Sequence, residues 1–336
     1  RTRPKPKLDS YEEEISNYLP QDVKQAIKKG KPLSTDKNTE IVDEKGNKIV
    51  IPAGFKITGD ATTVDKGIVI EDATSGATAG SQFVWVPVGK ITKADGTTTT
   101  ITLGRYDFDA TTGKESAYSG SYIEEDANDT PTLKKYGNII AKNIRNFKNS
   151  VATNGGYYIG RYEARTVTAR NAAGNALTQI TEKGTENVYN YVTQLQAAQL
   201  SQNMYNSDKF TSDLMNSYAW DTATVFIQNC GTNSKYSRQN SLNTSLSQTG
   251  TNSLTDTSKT DVQCNIYDMA SNIWEWTTET LSFPAFLVSF EEAVTASATT
   301  TRAIATATAL LAATAAEGFV HFYICRTERL SRNLLI

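Results

Sequence analysis

Residues 40–58, EIVDEKGNKIVIPAGFKIT, set two alternating apolar runs on either side of a Lys-Gly-Asn turn. A turn that short joins antiparallel neighbours, because parallel strands need a crossover of about a dozen residues or more. The same grammar continues for another hundred residues. GIVIED and SQFVWVPVG read as strands, ITKADGTTTTITLGRYDF as a second hairpin around Asp95-Gly96, and NGGYYIGRYEARTVTA as a strand pair rich in aromatics. Helical period appears only afterwards. YNYVTQLQAAQLSQNMY puts Val192, Leu195, Ala198 and Gln199 on one stripe. TSDLMNSYAWDTATVFIQ follows, with Thr211 or Ser212 as cap and Leu214, Tyr218 and Phe226 facing inward. A long polar loop, KYSRQNSLNTSLSQTGTNSLTDTSKTD, leads to the strand-like CNIYDMASNIWEWTTE. Strands, two helices, then strands define an α+β chain rather than an alternating parallel sheet.

Ahead of the strands, RTRPKPK reads as a linker, and Asp9–Leu19 and Gln21–Lys29 as two short polar helices forming an appended stalk. Pro20 separates these helices, and Gly30 supplies the left-handed cap of the second. The organisation expected is therefore a linker with short helices over 1–39, one domain over 40–280, and a separate tail over 281–336.

Bulk composition removes several function classes. The net charge is −2 without a long basic block, so no nucleic-acid groove is expected. No apolar run reaches the ~20 residues that span a bilayer, so no membrane segment is expected. Cys230, Cys264 and Cys325 have no paired spacing, and read as neither a disulfide framework nor a zinc site. With His321 as the sole histidine, a Ser-His-Asp hydrolase has almost nothing to stand on.

The box NIYDMASNIWEWTTE, residues 265–279, resembles the signature of the formylglycine-generating-enzyme (sulfatase-modifying factor) family, whose form is N-x-Y-D-M-x-G-N-x-W-E-W-T. IPAGF with FVWVPVG, GGYYIGRYEA at 155–164 and NSYAWDTATVFI at 216–227 agree with that family in type and order. The resemblance covers roughly residues 50–280 and implies a C-type-lectin-like fold, irregular, with two helices and several short antiparallel strands. Physical chemistry gives the box its own logic. On a strand Trp274 and Trp276 share one face, and Tyr267 and Met269 form another alternating pair. Asn272 and Glu275 are the oxygen donors in the middle of this apolar stretch. In the family, matching positions help hold a structural calcium, which takes six to eight oxygen ligands. The alternative for Glu275 is a buried carboxylate bonded to backbone amides. Ser271 stands where the family has Gly, which puts a positive-φ backbone in doubt. Arg161 and Glu163, two apart on a strand, face one side and read as a structural salt bridge rather than a ligand contact.

Beyond Thr280 the vocabulary changes. From Leu281 to Ala316 there is no Asp, Asn, Gly, Lys or Tyr. Family members continue with Arg-Gly-Gly-Ser and close about thirty residues later with Gly-Phe-Arg, and neither motif is present. Reverse translation of Phe290 to Thr295, read from the third base of the first codon, gives YGA RGA RGC NGT NAC. That permits Arg-Gly-Gly followed by Ser-class and Tyr/Asn/Asp/His codons. Glu317 to Val320 gives RGG NTT YGT in the same frame, which permits Gly-Phe-Arg. Each intervening Ala codon hides an NGC and each Thr codon an NAC. The Ala/Thr monotony is what a loop rich in Ser, Gly, Tyr and Asn looks like one frame off, so a frameshift near Thr280 and a poorly packed tail are expected. The rival is a genuine Ala-rich helix over Arg302–Ala316.

The resemblance implies three functions. One is a non-catalytic binding protein of adhesin or receptor-binding type, displaying a surface to a protein or glycan ligand on a cell. Retroelement-diversified variable proteins of phages and gut bacteria are of this kind. Their surface would fall within 281–320, lost here by the frameshift, and their setting is extracellular, cell-surface or virion. The second is oxidation of a protein cysteine to formylglycine, which in the family needs a close cysteine pair on copper near the C-terminus. Cys230 and Cys264 lie ahead of the box rather than near the C-terminus, so neither copper nor catalysis is expected. The third is a structural part of a phage tail or surface appendage.

Overall fold

The structure, a computed structural model, describes residues 22–120, 144–238, 261–269, 275–282 and 321–325. RTRPKPK, the helix read over Asp9–Leu19, most of the long polar loop, Ser271, Asn272, Trp274 and nearly all of the tail lie outside these residues.

The organising element is a four-stranded antiparallel sheet in the order β10-β5-β4-β3. Its strands are β3 (Phe55–Thr58), β4 (Val69–Asp72), β5 (Gln82–Pro87) and β10 (Gly156–Gly160). Both faces of the sheet are covered, which is why GIVI and FVWV read as nearly continuous apolar runs. Val69, Val84, Val86, Tyr157 and Ile159 point to one core, and Ile57, Ile70 and Trp85 to the other.

The first core is closed by helix α4 (Ser217–Cys230), which presents Ala219, Trp220, Ala223, Phe226 and Ile227 to the sheet. Its polar residues are buried too, and each has a counterpart. Asp221 accepts from Arg105 Nε at 3.1 Å and from the Tyr106 amide at 2.9 Å. Gln228 donates to the Gly113 carbonyl at 3.0 Å. The helix thereby anchors the hairpin of β8 (Tyr106–Phe108) and β9 (Glu115–Ala117).

On the second face lie the β1–β2 hairpin (Thr39–Val42, Lys48–Ile51) and α1 (Val23–Lys29). Asp22 caps the Gln25 amide at 2.8 Å and Gly30 closes the helix at φ 59°. Val23 and Ala26 are buried among Ile41, Ile49 and Phe55, so α1 packs into this core. Hairpin β6–β7 (Gly89–Thr92, Thr98–Ile101) turns through Asp95-Gly96, as its sequence indicates.

Further along, short pairs join β11 (Arg165–Thr166) to β12 (Asn187–Val188) and β13 (Val262–Gln263) to β14 (Ile266–Tyr267). Backbone pairing also joins β15 (Trp276–Ser282) to β16 (His321–Cys325), placing Leu281 opposite Phe322.

The α+β expectation stands, with several short antiparallel pairs. The helix content does not, because within 40–280 three α-helices are present among the described residues rather than two. The helix missed within the domain is α2 (Ile144–Asn154), whose Ile144, Phe147 and Val151 carry helical spacing onto the first core. Other details differ for local reasons. GGYYIG and EARTV do not pair with each other, because the chain bends at Arg161–Tyr162, sending β10 to β5 and β11 to β12. Helix α4 begins after Asn216, which caps the Ala219 amide at 2.9 Å. Ser212 is already committed, donating to the Ser201 carbonyl at 2.5 Å and accepting from the Tyr205 amide at 2.9 Å. On α3 (Gln194–Met204), Thr193 and Gln196 form a reciprocal capping box. The buried stripe is Gln194, Ala198 and Met204, while Gln199 is exposed.

Candidate binding site

Strand β10 is an edge of the sheet, and a cavity of about 1060 Å³ runs along it. One wall is α3 with the segment that follows it, the second is the aromatic surface of Phe83, Trp85 and Tyr158, and the third is Glu275–Thr277 at the start of β15. That third wall is held from behind. Gln194 Nε2 donates to the Thr277 carbonyl at 2.6 Å, Trp276 Nε1 to the Val192 carbonyl at 2.8 Å, and the Thr278 amide to the Met215 carbonyl at 3.0 Å.

Most of the lining is aromatic or aliphatic, but a few buried polar atoms stand out. Among the described residues Trp85 Nε1, Glu182 Oε2 and Thr277 Oγ1 have no hydrogen-bond partner, in residues no more than 8% exposed. Buried polar groups are paired in all but a few cases, so orphans sharing one cavity mark a place where a ligand's polar atoms belong. Glu182 is the most consequential. Its backbone is clamped to the start of β5, donating to Ser81 Oγ at 3.1 Å and accepting from the Gln82 amide at 3.0 Å. Burial pushes its carboxyl well above the ordinary 4.5, Arg165 pulls it down, and Glu275 pushes it further up. By composition the described lining is acidic, with Glu163, Glu182, Asp208, Asp213 and Glu275 beside Lys209, and Arg165 acts on Glu182 from outside it.

Of the two metal-ligating residues expected from the sequence, Glu275 lies on this cavity, half-buried, and Asn272 lies outside the described residues. Among the described residues no group of three or more His, Cys, Asp or Glu is arranged to hold a metal. Calcium takes six to eight oxygens, carbonyls among them, and no step is routed through it here.

Arg161 and Glu163 do not form the expected salt bridge. Arg161 Nη1 donates to Gln82 Oε1 at 2.7 Å, with the guanidinium over the Tyr162 and Tyr267 rings at 5.5 and 5.4 Å. Glu163 turns into the cavity wall, because strand β10 ends at Gly160 and the alternation expected across 161–163 is lost. Tyr267 and Met269 do not alternate on one strand either, since Asp268 between them has φ 54°. Cys230 and Cys264 are free thiols packed against the first core. Burial drives Cys230 up to about 12 and Cys264 higher still, the reverse of what a nucleophile or a metal thiolate needs.

Sequence reasoning missed Glu182, Trp85 Nε1 and the β10 edge. Only the last had a sequence signal, the aromatic run GGYYIG. No protein-family model, curated protein or solved structure matches this chain. Among the described residues no helix is long and apolar enough to cross a membrane.

Proposed function

We propose that this chain is a non-catalytic binding protein built on a C-type-lectin-like scaffold of the formylglycine-generating-enzyme branch. The observation that carries the reading is the cavity beside the WEW box, where buried Trp85 Nε1, Glu182 Oε2 and Thr277 Oγ1 have no partner among the described residues. Such a site supplies apolar area with a few fixed polar contacts, which is how a ligand is held and oriented. The chemistry of turnover has little support beside it, since both described thiols are raised by burial. Calcium at Asn272 and Glu275, a protein or glycan ligand and a cell-surface or virion setting belong to the same reading, on the strength of the motif. So does the loss of a second, C-terminal surface by a frameshift near Thr280.

The test is direct. Purified full-length chain is offered to glycan and cell-surface-protein arrays, and hits are titrated while Trp fluorescence is followed. A saturable ligand is expected that perturbs Trp85 emission and binds at least tenfold more weakly to Trp85→Phe, which keeps an aromatic ring but loses the indole N–H. Saturable binding indifferent to Trp85→Phe moves the site elsewhere, and no binding on either array removes the proposal.

A further inference from the structure

Register fixes which backbone groups of β10 are free. The Val88 amide donates to the Gly155 carbonyl at 2.9 Å and the Arg161 amide to the Gln82 carbonyl at 3.0 Å. With Tyr157 opposite Val86 and Ile159 opposite Val84, the odd-numbered residues bond to β5. Gly156, Tyr158 and Gly160 must then direct their N–H and C=O groups away from the sheet. Among the described residues these groups have no backbone partner, and all three residues line the cavity. The aromatic cavity therefore contains a strand edge with unused hydrogen-bonding capacity.

We infer that this edge is a strand-addition site: an extended peptide carrying a cationic side chain pairs with Gly156–Gly160 and places its charge at Glu182. The inference rests on the binding reading above and names the partner class for that cavity. Three features select this occupant. Unpaired edges template another strand, and main-chain bonding gives affinity largely independent of sequence. The edge lies inside a cavity bounded by α3 and β15, which admits a single extended chain more readily than the sheet of a second folded copy. The charge is complementary as well. Glu182 Oε2 is buried, has no hydrogen-bond partner among the described residues, and lies against Gly160 at the end of the strand, where a β-carbon would come within 2.5 Å of it. An incoming ammonium or guanidinium supplies the missing donor, and the acidic lining favours that sign of charge. At about 3.3 Å per residue the edge spans roughly 17 Å, so a heptapeptide covers it.

The experiment uses full-length protein and fluorescein-labelled heptapeptides alternating Val and Thr, with Lys or Glu at each position in turn, read by fluorescence anisotropy. Saturable binding is expected for Lys peptides at one or two positions and not for their Glu counterparts. N-methylation of two adjacent central residues, which blocks both edges of the peptide, is expected to weaken binding at least tenfold. Glu182→Gln is expected to remove the preference for Lys over norleucine. Tyr158→Pro deletes an outward N–H and should also abolish binding. Should it misfold, the methylated peptides carry the test on the unmodified protein. Full affinity after methylation means that side chains alone are bound and overturns strand addition, and so does failure of the whole panel. Ligand binding on the arrays without any peptide binding keeps the binding-protein reading and discards this inference, while silence in both experiments discards both.

Discussion

Glu182 stands so close to Gly160 that an ideal β-carbon on the glycine would lie 2.5 Å from Oε2 and 2.8 Å from Cδ. The glycine that ends β10 is thus required by packing, and the carboxyl is held in place partly by the absence of a side chain. Gly160→Ala should destabilise the fold by about 1–3 kcal/mol, the usual cost of overpacking. In a double-mutant cycle with Glu182→Ala the two changes should be partly non-additive, because the second removes the two nearest atoms the first collides with and leaves the Tyr162 carbonyl at 2.9 Å. Fully additive losses in denaturant titrations would mean that the Tyr162 carbonyl, not Glu182, sets the cost of a side chain at Gly160.

Glu182 also predicts a direction of pH dependence. Its folded-state pKa lies above the ordinary 4.5, mainly through burial. Between those two values the folded state holds a proton that the unfolded state has released, so stability falls as pH rises across the window. Below the unfolded value both states are protonated and the penalty vanishes. Glu182→Gln keeps the shape but cannot ionise, so it should be more stable than the parent near neutral pH and equal to it near pH 4. Thermal melts across that range check this, and a variant less stable at neutral pH would reverse the assignment.

Asp221 and Arg105 form an ion pair in residues 1% and 8% exposed, with Asp221 also accepting the Tyr106 amide. Removing one partner leaves a buried charge uncompensated, a loss of about 3–5 kcal/mol. Asp221→Ala should therefore lower stability far more than loss of the surface pair Lys48–Glu40, worth at most about 1 kcal/mol. Replacing Arg105 and Asp221 together by apolar residues should recover part of the loss. Chemical denaturation of the three variants decides it.

These cases separate what is local from what is not. The β1–β2 and β6–β7 hairpins were legible because alternation and turn residues such as Asp95-Gly96 sit within a few positions of each other. Helix α2 was not, since Ile144, Phe147 and Val151 are three apolar positions in a run dominated by Lys, Asn, Ser and Thr. The start of α4 was misplaced because Ser212, a good cap in isolation, is taken by the end of α3. On the site, the WEW box pointed to Glu275 and so to one wall of the cavity. Glu182 could not be foreseen, because its depth is set by Gly160, Ser81 and Gln82, about twenty and a hundred residues away in sequence. The free edge of β10 was equally hidden, because which strand lies last in a sheet is a property of long-range pairing.

The composition break at Thr280 leads to a prediction that involves no protein. If the Ala/Thr run is a Ser/Gly/Tyr/Asn-rich loop read one frame off, the source DNA across codons 275–325 should contain an insertion or deletion near codon 280. Correcting it should restore Arg-Gly-Gly at codon 290 and Gly-Phe-Arg at codon 317 in a single frame. The two motifs are constrained independently, since wobble at one end says nothing about wobble at the other, and one shift has to satisfy both. Clones from the same source that keep the frame should then encode a polar loop between them, and first-base variation confined to that interval would mark it as diversified. An uninterrupted frame giving the Ala/Thr run in every clone defeats the frameshift and transfers the explanation to helix propensity, because Ala is the best helix former and Arg302–Ala316 is dominated by it. The described walls of the β10 cavity end at Thr277, before the break, so its residues are the same in either frame.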